Sequence, residues 1–541
     1  MRKIFLYLNT IRFLKVQQIF YRLKNILFKR KFINTSYEVV PRRSGAWKDC
    51  FINEERFSSD YQVKFLNSSK TLDFPSDWNK EYVSKLWLYN LHYFEDVLSF
   101  NAKEKSSFYI NLFNLWIDHN PAGHGVGWEP YPTSLRISNL LKAWLSGLDL
   151  EKDQLKSLFS QTSHLFNNLE KHLLCNHYFA NLKALLFSGI IFQNKRWTEY
   201  SIKELEKEIT EQILPDGEHF ELSPMYHSLI LVDILDIYNL SLSFPNELDS
   251  LRKALKKKIP KMLNFLELMS HPDGEISFFN DSVFGIAPSK ENIENYGRSL
   301  SFEPKKLDTS KACVHKLGSG YISAYLNKTK IIFDAANIGP EYNPGHGHAD
   351  TLSFELSIGN ERVFVNSGIS HYENNKLRVM QRGTASHNTV EINDSNSSQV
   401  WHSFRVANRA SIISRSVQMQ DDTISINAEH DGYKRLLYGA NHNRNITLKR
   451  NEFSIKDNII GSFKSAKVRF YFHPNLKVKM ENNNLKIKGK RFEISSDLKC
   501  KKAKLISSNW NPEFGKSLKN KCLEITFSSN HNETRFFKRF F

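Results

Sequence analysis

A chain of 541 residues with 40 % hydrophobic and 13 % aromatic side chains is globular in composition and longer than one hydrophobic core usually serves. Lys plus Arg number 75 against 57 Asp plus Glu, a formal charge of +18 that attracts polyanions at long range. Nucleic acid is not the expected polyanion, because zinc-finger spacing, an RRM-like aromatic motif and a GxxxxGK loop are all missing; the five cysteines (Cys50, Cys175, Cys313, Cys500, Cys522) are too scattered for a disulfide framework or a CxxC metal site.

Residues 1–40 form a basic amphipathic segment. No acidic residue precedes Glu38, and Arg2, Lys3, Arg12, Lys15, Arg22 and Lys24 interrupt every apolar run. Without a long apolar stretch or a small-residue cleavage site, the segment reads as neither a signal peptide nor a spanning helix. Peripheral contact with a membrane surface and an ordinary surface helix both fit it, so the expected location is cytoplasmic or membrane-surface.

Residues 41–305 are expected to form a helical domain, with a helical apolar period from about Asp77 to about Leu300. Phe108, Leu112, Leu115 and Trp116 share a face, as do Ile137, Leu140, Leu141 and Trp144, and Leu255, Ile259, Met262, Leu263 and Leu266. Short links such as Asn120-Pro121-Ala122-Gly123 separate them, so stacked helical hairpins are expected. A charged stretch from Ser301 to Lys311 marks the change to residues 306–541, where short β-rich runs (Tyr321 to Leu326, Lys330 to Ala335, Thr351 to Ile358, Arg362 to Asn366 and onward) predict a sheet sandwich.

Polar clusters interrupt both patterns. In Trp128-Glu129-Pro130-Tyr131-Pro132-Thr133-Ser134-Leu135-Arg136, Ser134 is a candidate cap for a helix carrying Arg136, and the aromatic rings could stack on sugars. Asn176-His177-Tyr178 follows. In Asp216 to His227, Ser223 and Pro224 predict a helix start that places Tyr226 in the first turn, where the helix dipole would favour a phenolate. His271-Pro272-Asp273-Gly274-Glu275, with Asn280 and Asp281 beyond, reads as a structural turn. Asn343-Pro344-Gly345-His346-Gly347-His348-Ala349-Asp350 then leads into the alternation Leu352, Phe354, Leu356, Ile358 of a half-buried strand; residues two apart on an extended chain point the same way, so His346 and His348 are expected to face one cavity. His348 and His387, with a third ligand from the strand end at Asn366, form a candidate metal site.

Taken together, from about Trp87 onward, Tyr89-Asn90-Leu91-His92-Tyr93-Phe94, the Trp128 to Arg136 loop, Asn176-His177-Tyr178, Asp216 to His227, Gly345 to Asp350 and Ser386-His387-Asn388-Thr389 resemble the heparinase II/III family of polysaccharide lyases, whose fold also hosts alginate lyases. The resemblance implies an α+β multidomain fold, an incomplete (α/α) toroid followed by an antiparallel β-sandwich. It implies β-elimination at a uronic acid residue of an acidic polysaccharide, with Asn176 and His346 neutralising the substrate carboxylate and His177 and Tyr226 moving protons. Trp128, Glu129, Tyr131, Arg136, His92 and Glu221 are the expected substrate contacts. The same likeness implies a structural zinc on His348, His387 and Asn366, weakened because some members place an aspartate where this chain has Asn366. The family's lyases make the periplasm an alternative location. A uronyl C5-epimerase and a non-catalytic polysaccharide-binding protein of exopolysaccharide or capsule assembly are the competing functions.

Overall fold

The computed structural model describes residues 2–28, 40–58, 60–80, 83–437, 439–498 and 501–541; residues 29–39 of the N-terminal segment and Cys500 lie outside them. Two short helices, Arg2–Ile11 and Val16–Leu27, open the chain, and the four described cysteines are free. No helix among the described residues is long and apolar enough to cross a membrane.

The helical domain is an incomplete (α/α) toroid built from alternating rows. Helices Lys85–Tyr93, Pro130–Leu145, Cys175–Ile191 and Pro224–Ser243 pack side by side as an inner row, while Ser106–His119, Lys152–Asn167, Lys195–Gln212 and Asp249–Leu268 pack outside them. Sequence decides which row a helix joins. Every residue of Cys175–Ile191 except His177 is buried, as an inner helix touched on all sides requires, whereas Lys195–Gln212 buries only Trp197, Ser201, Leu205, Glu208, Ile209 and Gln212. The faces anticipated from the apolar period are the ones buried: Ile137, Leu140, Leu141 and Trp144 are all 3 % exposed or less.

The last toroid helix, Lys290–Ser299, is followed by the first strand of the second domain, Cys313–Lys316. A five-stranded antiparallel sheet (Cys313–Lys316, Tyr321–Leu326, Thr329–Asp334, Phe354–Ile358, Glu361–Phe364) and a four-stranded one (Val390–Ile392, Ala466–Tyr471, Lys502–Glu513, Lys516–Phe527) meet through the Phe364–Phe472 bridge. An eight-stranded sheet lies opposite. Ile331, Phe354 and Phe470 from one side share a core with Ile426, Ile446, Phe453 and Phe536 from the other, which makes the sandwich.

The strand at Phe354–Ile358 corrects an expectation. Its alternation predicted one wet face, but both faces are buried, because the toroid covers the side that carries Ser353, Glu355 and Ser357. Those polar side chains are used across the seam: His271 contacts Glu355 Oε2 at 2.8 Å and Ser357 Oγ at 2.6 Å. Tyr321 donates its hydroxyl hydrogen to the Leu222 carbonyl at 2.7 Å, and Phe265, Leu268, Phe279, Tyr321 and Ile332 form a shared apolar cluster. The two domains therefore meet over a packed, hydrogen-bonded surface.

Candidate active site

Three inner helices present their first turns to the seam. Tyr131 opens Pro130–Leu145, Asn176 and His177 open Cys175–Ile191, and Tyr226 opens Pro224–Ser243. Ser223 caps the last of these by accepting the Tyr226 N–H at 3.1 Å, with Pro224 at the first helical position, as its sequence predicts. Helix N-termini carry unpaired N–H groups and partial positive charge, so this end of the toroid favours an anion. The chain enters the middle helix through Leu174 (φ 63°, ψ −150°) and Cys175 (φ 54°), positive-φ conformations that cost about 1–3 kcal/mol each immediately before Asn176 and His177.

Each of these side chains is held by a partner. Asn176 donates from Nδ2 to both Glu221 oxygens, at 3.0 and 3.1 Å, which leaves its second N–H for a ligand. Glu221 was expected to touch substrate; it is 2 % exposed and instead orients Asn176. His177 places Nδ1 3.1 Å from Glu170, whose other oxygen accepts from Asn181 at 3.0 Å. Burial opposes charge on His177, but Glu170 outweighs it and raises the imidazole above its usual value. The His177 ring lies 4.5 Å from that of Tyr131.

Tyr226 stacks on His346, with centroids 3.9 Å apart, and its hydroxyl meets that of Tyr372 at 3.1 Å. Burial, with Tyr372 second, holds Tyr226 well above the ordinary phenol range, so the phenolate expected from the helix dipole does not form: desolvation outweighs the dipole. Tyr131, Tyr226 and Tyr372 line one cleft with Asn90, Asn139, Lys142, Lys183 and Asp233. Lys183 donates to Asp233 at 2.5 Å and Asp236 at 2.6 Å, and Lys142 to Asp236 at 2.8 Å, so the cleft floor is a charge-paired network drawn from three inner helices.

Asp281 organises the strand-domain side. It is fully buried and receives Arg378 through both guanidinium N–H groups, His346 Nδ1 at 2.9 Å and His348 Nε2 at 2.8 Å. Burial works against its charge, yet Arg378 and the two histidine hydrogen bonds hold the carboxyl well below the usual range. An ionised carboxylate only accepts, so both imidazoles donate to it, and His346 is left with Nε2 as its remaining polar atom. Their spacing led to the expectation that both histidines face one cavity; both donate to Asp281, but His346 stacks on Tyr226 while His348 is buried against His387. Gly347 between them is required by close approach, since a Cβ there would meet Ile338 Cγ1 at 2.7 Å.

Three expected substrate contacts are part of the scaffold. His92 is fully buried between the Trp78 carbonyl and Trp116 Nε1; Arg136 is fully buried and donates to Gln161 and to the carbonyls of His92 and Gly127; Trp128 is 6 % exposed and donates to the Asn120 carbonyl. An aromatic-rich loop has the same composition whether it faces inward or outward, and here it faces inward. Glu129 stays at the rim, accepting from Tyr89 and paired with Lys85 at 2.9 Å. Ser134 does not cap its helix: Glu129 occupies that position, and Ser134 donates to the Pro130 carbonyl one turn back.

The candidate metal ligands also rearrange. Asn366 accepts the Asn388 N–H at 3.3 Å, and the acidic group that lies with His348 and His387 is Asp350, all three offering atoms within 4.8 Å of one another. His348 Nδ1 and His387 Nε2 face each other at 3.3 Å. His348 gives its Nε2 N–H to Asp281, while His387 Nδ1 is buried without a hydrogen-bond partner among the described residues. Burial lowers the two to about 4 and about 3, so at neutral pH two lone pairs converge beside the Asp350 carboxyl, a donor set that suits zinc, with the outer hydrogen bond of His348 already in place.

Sequence reading missed Asp281, Glu170, Tyr372 and Arg378. The first was taken for a closing turn, and the others carried no local signal, since each acts on a partner brought in by the fold.

A family model described as the heparinase II/III N-terminus matches residues 20–307, and one described as heparinase II/III-like, C-terminal, matches residues 311–536. A heparin-sulfate lyase of Bacteroides stercoris is 26 % identical over 321 residues, 54 % of this chain and 44 % of that protein; one of Pedobacter heparinus is 24 % identical over 336 residues, 53 % and 48 %. The match thus spans about half the length of these relatives. Among solved structures, a crystal structure of heparinase III superposes with TM-score 0.69 at 15 % identity, covering 96 % of this chain and 88 % of that one. A heparan sulfate lyase HepC mutant from Pedobacter heparinus gives 0.60 at 17 %, covering 97 % and 88 %. With both halves of the chain matched in order, and a fold to agree, the protein belongs to the heparinase II/III-like family.

Proposed function

We propose that the protein is a polysaccharide lyase that cleaves a uronic-acid-containing polysaccharide by β-elimination. The observation that carries this reading is the meeting, at one seam, of Asn176, His177 and Tyr226 from toroid helix N-termini with His346 from the sandwich. The C5 proton of a uronate is adjacent to a carboxylate whose charge opposes carbanion formation, so donors must meet that carboxylate as the proton leaves. The free N–H of Asn176 is suited to this, backed by three helix N-termini, and His346 Nε2 would join it whenever it carries a proton. His177, made more basic by Glu170 and with Nε2 unclaimed, accepts the C5 proton; Tyr226, kept a neutral phenol by burial, gives its proton to the departing O4. The C5–H and C4–O4 bonds break, a C4–C5 double bond forms, and the two protons end on His177 and O4.

The three curated relatives, all heparin-sulfate lyases, support elimination over C5-epimerisation and over a purely binding role. His348, Asp350 and His387 would hold a zinc ion that braces the loop behind His346, as a structural ion outside the proton transfers. Incubation of the purified protein with heparosan, heparan sulfate, chondroitin, hyaluronan and alginate, followed by ultraviolet absorbance of the unsaturated uronate, tests the proposal. Absorbance that rises with any of them supports it; a flat trace with every polymer counts against elimination.

A further inference from the structure

The two N-terminal helices are amphipathic in the reverse sense to an ordinary surface helix. Helix Val16–Leu27 docks on the toroid through polar residues: Gln18 is 1 % exposed and donates to the Leu173 carbonyl, Tyr21 accepts from Lys171, and Asn25 meets His172. Its apolar stripe, Val16, Ile19, Phe20, Leu23, Ile26 and Leu27, is turned to the outside, with Ile26 and Leu27 more than two-thirds exposed. Helix Arg2–Ile11 behaves alike: Thr10 accepts from Trp401 Nε1 at 3.1 Å while Ile4, Phe5, Leu8 and Ile11 are exposed. Half of the exposed large hydrophobic side chains among the described residues lie between Ile4 and Phe28. An apolar face of this kind is normally covered.

Charge identifies the cover. Lys3, Arg12, Arg22 and Lys24 accompany the stripe, and no acidic residue precedes Glu38. Between the helix pair and the strand-domain loops is a cavity of about 320 Å³ lined by Arg22, Arg405 and Arg409 together with Ile11, Leu14 and Leu23. Arg405 Nη1 and Arg409 Nε are buried donors without a hydrogen-bond partner among the described residues. Burial and the nearby Arg405 lower Arg22, and burial and Arg12 lower Arg409 to about 10 although Glu341 works the other way, so cationic groups outnumber the one nearby carboxylate here. A cavity with cationic donors on one side and aliphatic walls on the other, opening beside an apolar stripe, matches a phosphate headgroup and the start of its acyl chains.

We propose that the N-terminal helix pair docks the protein on an anionic lipid bilayer, with the stripe in the acyl boundary and a lipid phosphate among Arg22, Arg405 and Arg409. The same pair touches the cleft's support, because Gln18 and Asn343 both donate to the carbonyl of Leu173, close before Asn176. Docking therefore fixes how the cleft faces the bilayer.

Flotation of the full-length protein with phosphatidylcholine vesicles, with and without about 30 % phosphatidylglycerol, tests this. Binding to the anionic vesicles is expected to exceed binding to neutral ones by roughly tenfold or more, and to fall by a similar factor in the triple variant Phe20→Ser, Leu23→Ser, Ile26→Ser and in Arg405→Gln. All four side chains lie away from the cleft, so thermal melting and circular dichroism of the variants should match the parent, which separates lost docking from lost folding without reference to catalysis. Equal binding to both vesicle types, undiminished binding by the triple variant, or a dimer in light scattering that the triple variant abolishes while vesicles go unbound would each overturn the proposal.

Discussion

The Tyr226 phenol lies face to face on the His346 imidazole, with planes 28° apart. One ring comes from a toroid helix and the other from a sandwich loop, so the wall of the cleft exists only when the domains are docked. The imidazole is anchored from behind by Asp281 and the phenol is steadied by Tyr372. That arrangement sets what removal of each group should do.

Tyr226→Phe keeps the ring that stacks on His346 and removes only the hydroxyl. Turnover, read as ultraviolet absorbance of the unsaturated product, is expected to fall by about 10²–10⁴-fold with the melting temperature nearly unchanged, the range for loss of a positioned proton donor. Tyr372→Phe should cost much less, since in the proposed mechanism its hydroxyl only supports that of Tyr226. Equal losses in the two variants would remove Tyr226 from the acid role.

Asp281→Asn is expected to be a stability variant first. The substitution leaves Arg378 buried without its anion and replaces one of the two accepting oxygens with an amide NH2, so one imidazole loses its acceptor and faces a donor instead. Breaking a buried pair from one side costs about 3–5 kcal/mol, which urea denaturation would show as an earlier midpoint at unchanged slope. A midpoint within error of the parent would mean that the Asp281 cluster is not the anchor described above.

Much of this architecture was legible in sequence because it rests on local chemistry. The 3.6-residue apolar period placed the helices, and Ser223 and Pro224 set the start of the helix bearing Tyr226. What stayed hidden depends on distance in the chain: Asp281 meets His346, His348 and Arg378 across 65, 67 and 97 residues. Direction was hidden as well. Nothing local distinguishes a Trp128 to Arg136 loop that faces a cleft from one that fills a core, and the polar face of Phe354–Ile358 reads as wet until a second domain covers it. The carboxyl group that lies with His348 and His387 is that of Asp350, which a loop rather than strand register brings to them, so the strand-end position at Asn366 gave no sign of it.

The Glu170–His177 pair gives a pH signature in stability. His177 is raised from 6.5, so its contribution is complete below that value and is lost as pH rises through the higher folded-state value. Glu170 is lowered from 4.5: burial opposes its charge, His177 outweighs burial, and its contribution is present above 4.5 and lost as pH falls through the lower folded value. The pair therefore stabilises most between pH 4.5 and 6.5. Denaturation of the parent and of Glu170→Gln across pH should show the largest gap in that window, narrowing on either side. A gap independent of pH would mean that Glu170 acts through packing alone.

Zinc should bind where two lone pairs and a carboxylate already converge, and the readout need not involve catalysis. Metal-stripped protein given zinc is expected to melt at higher temperature, by an amount corresponding to about 2.7 kcal/mol when free zinc is about 100-fold above its dissociation constant. His387→Ala and Asp350→Asn should each abolish the shift, whereas Asn366→Ala, whose side-chain oxygen accepts the Asn388 N–H, should lower the baseline melting temperature and leave the zinc-induced increment in place. Cobalt gives an independent check, because a tetrahedral nitrogen and oxygen site absorbs visible light while free cobalt in water scarcely does. An increment lost in Asn366→Ala but retained in Asp350→Asn would return the third ligand to the strand end and leave Asp350 as a neighbour of the site.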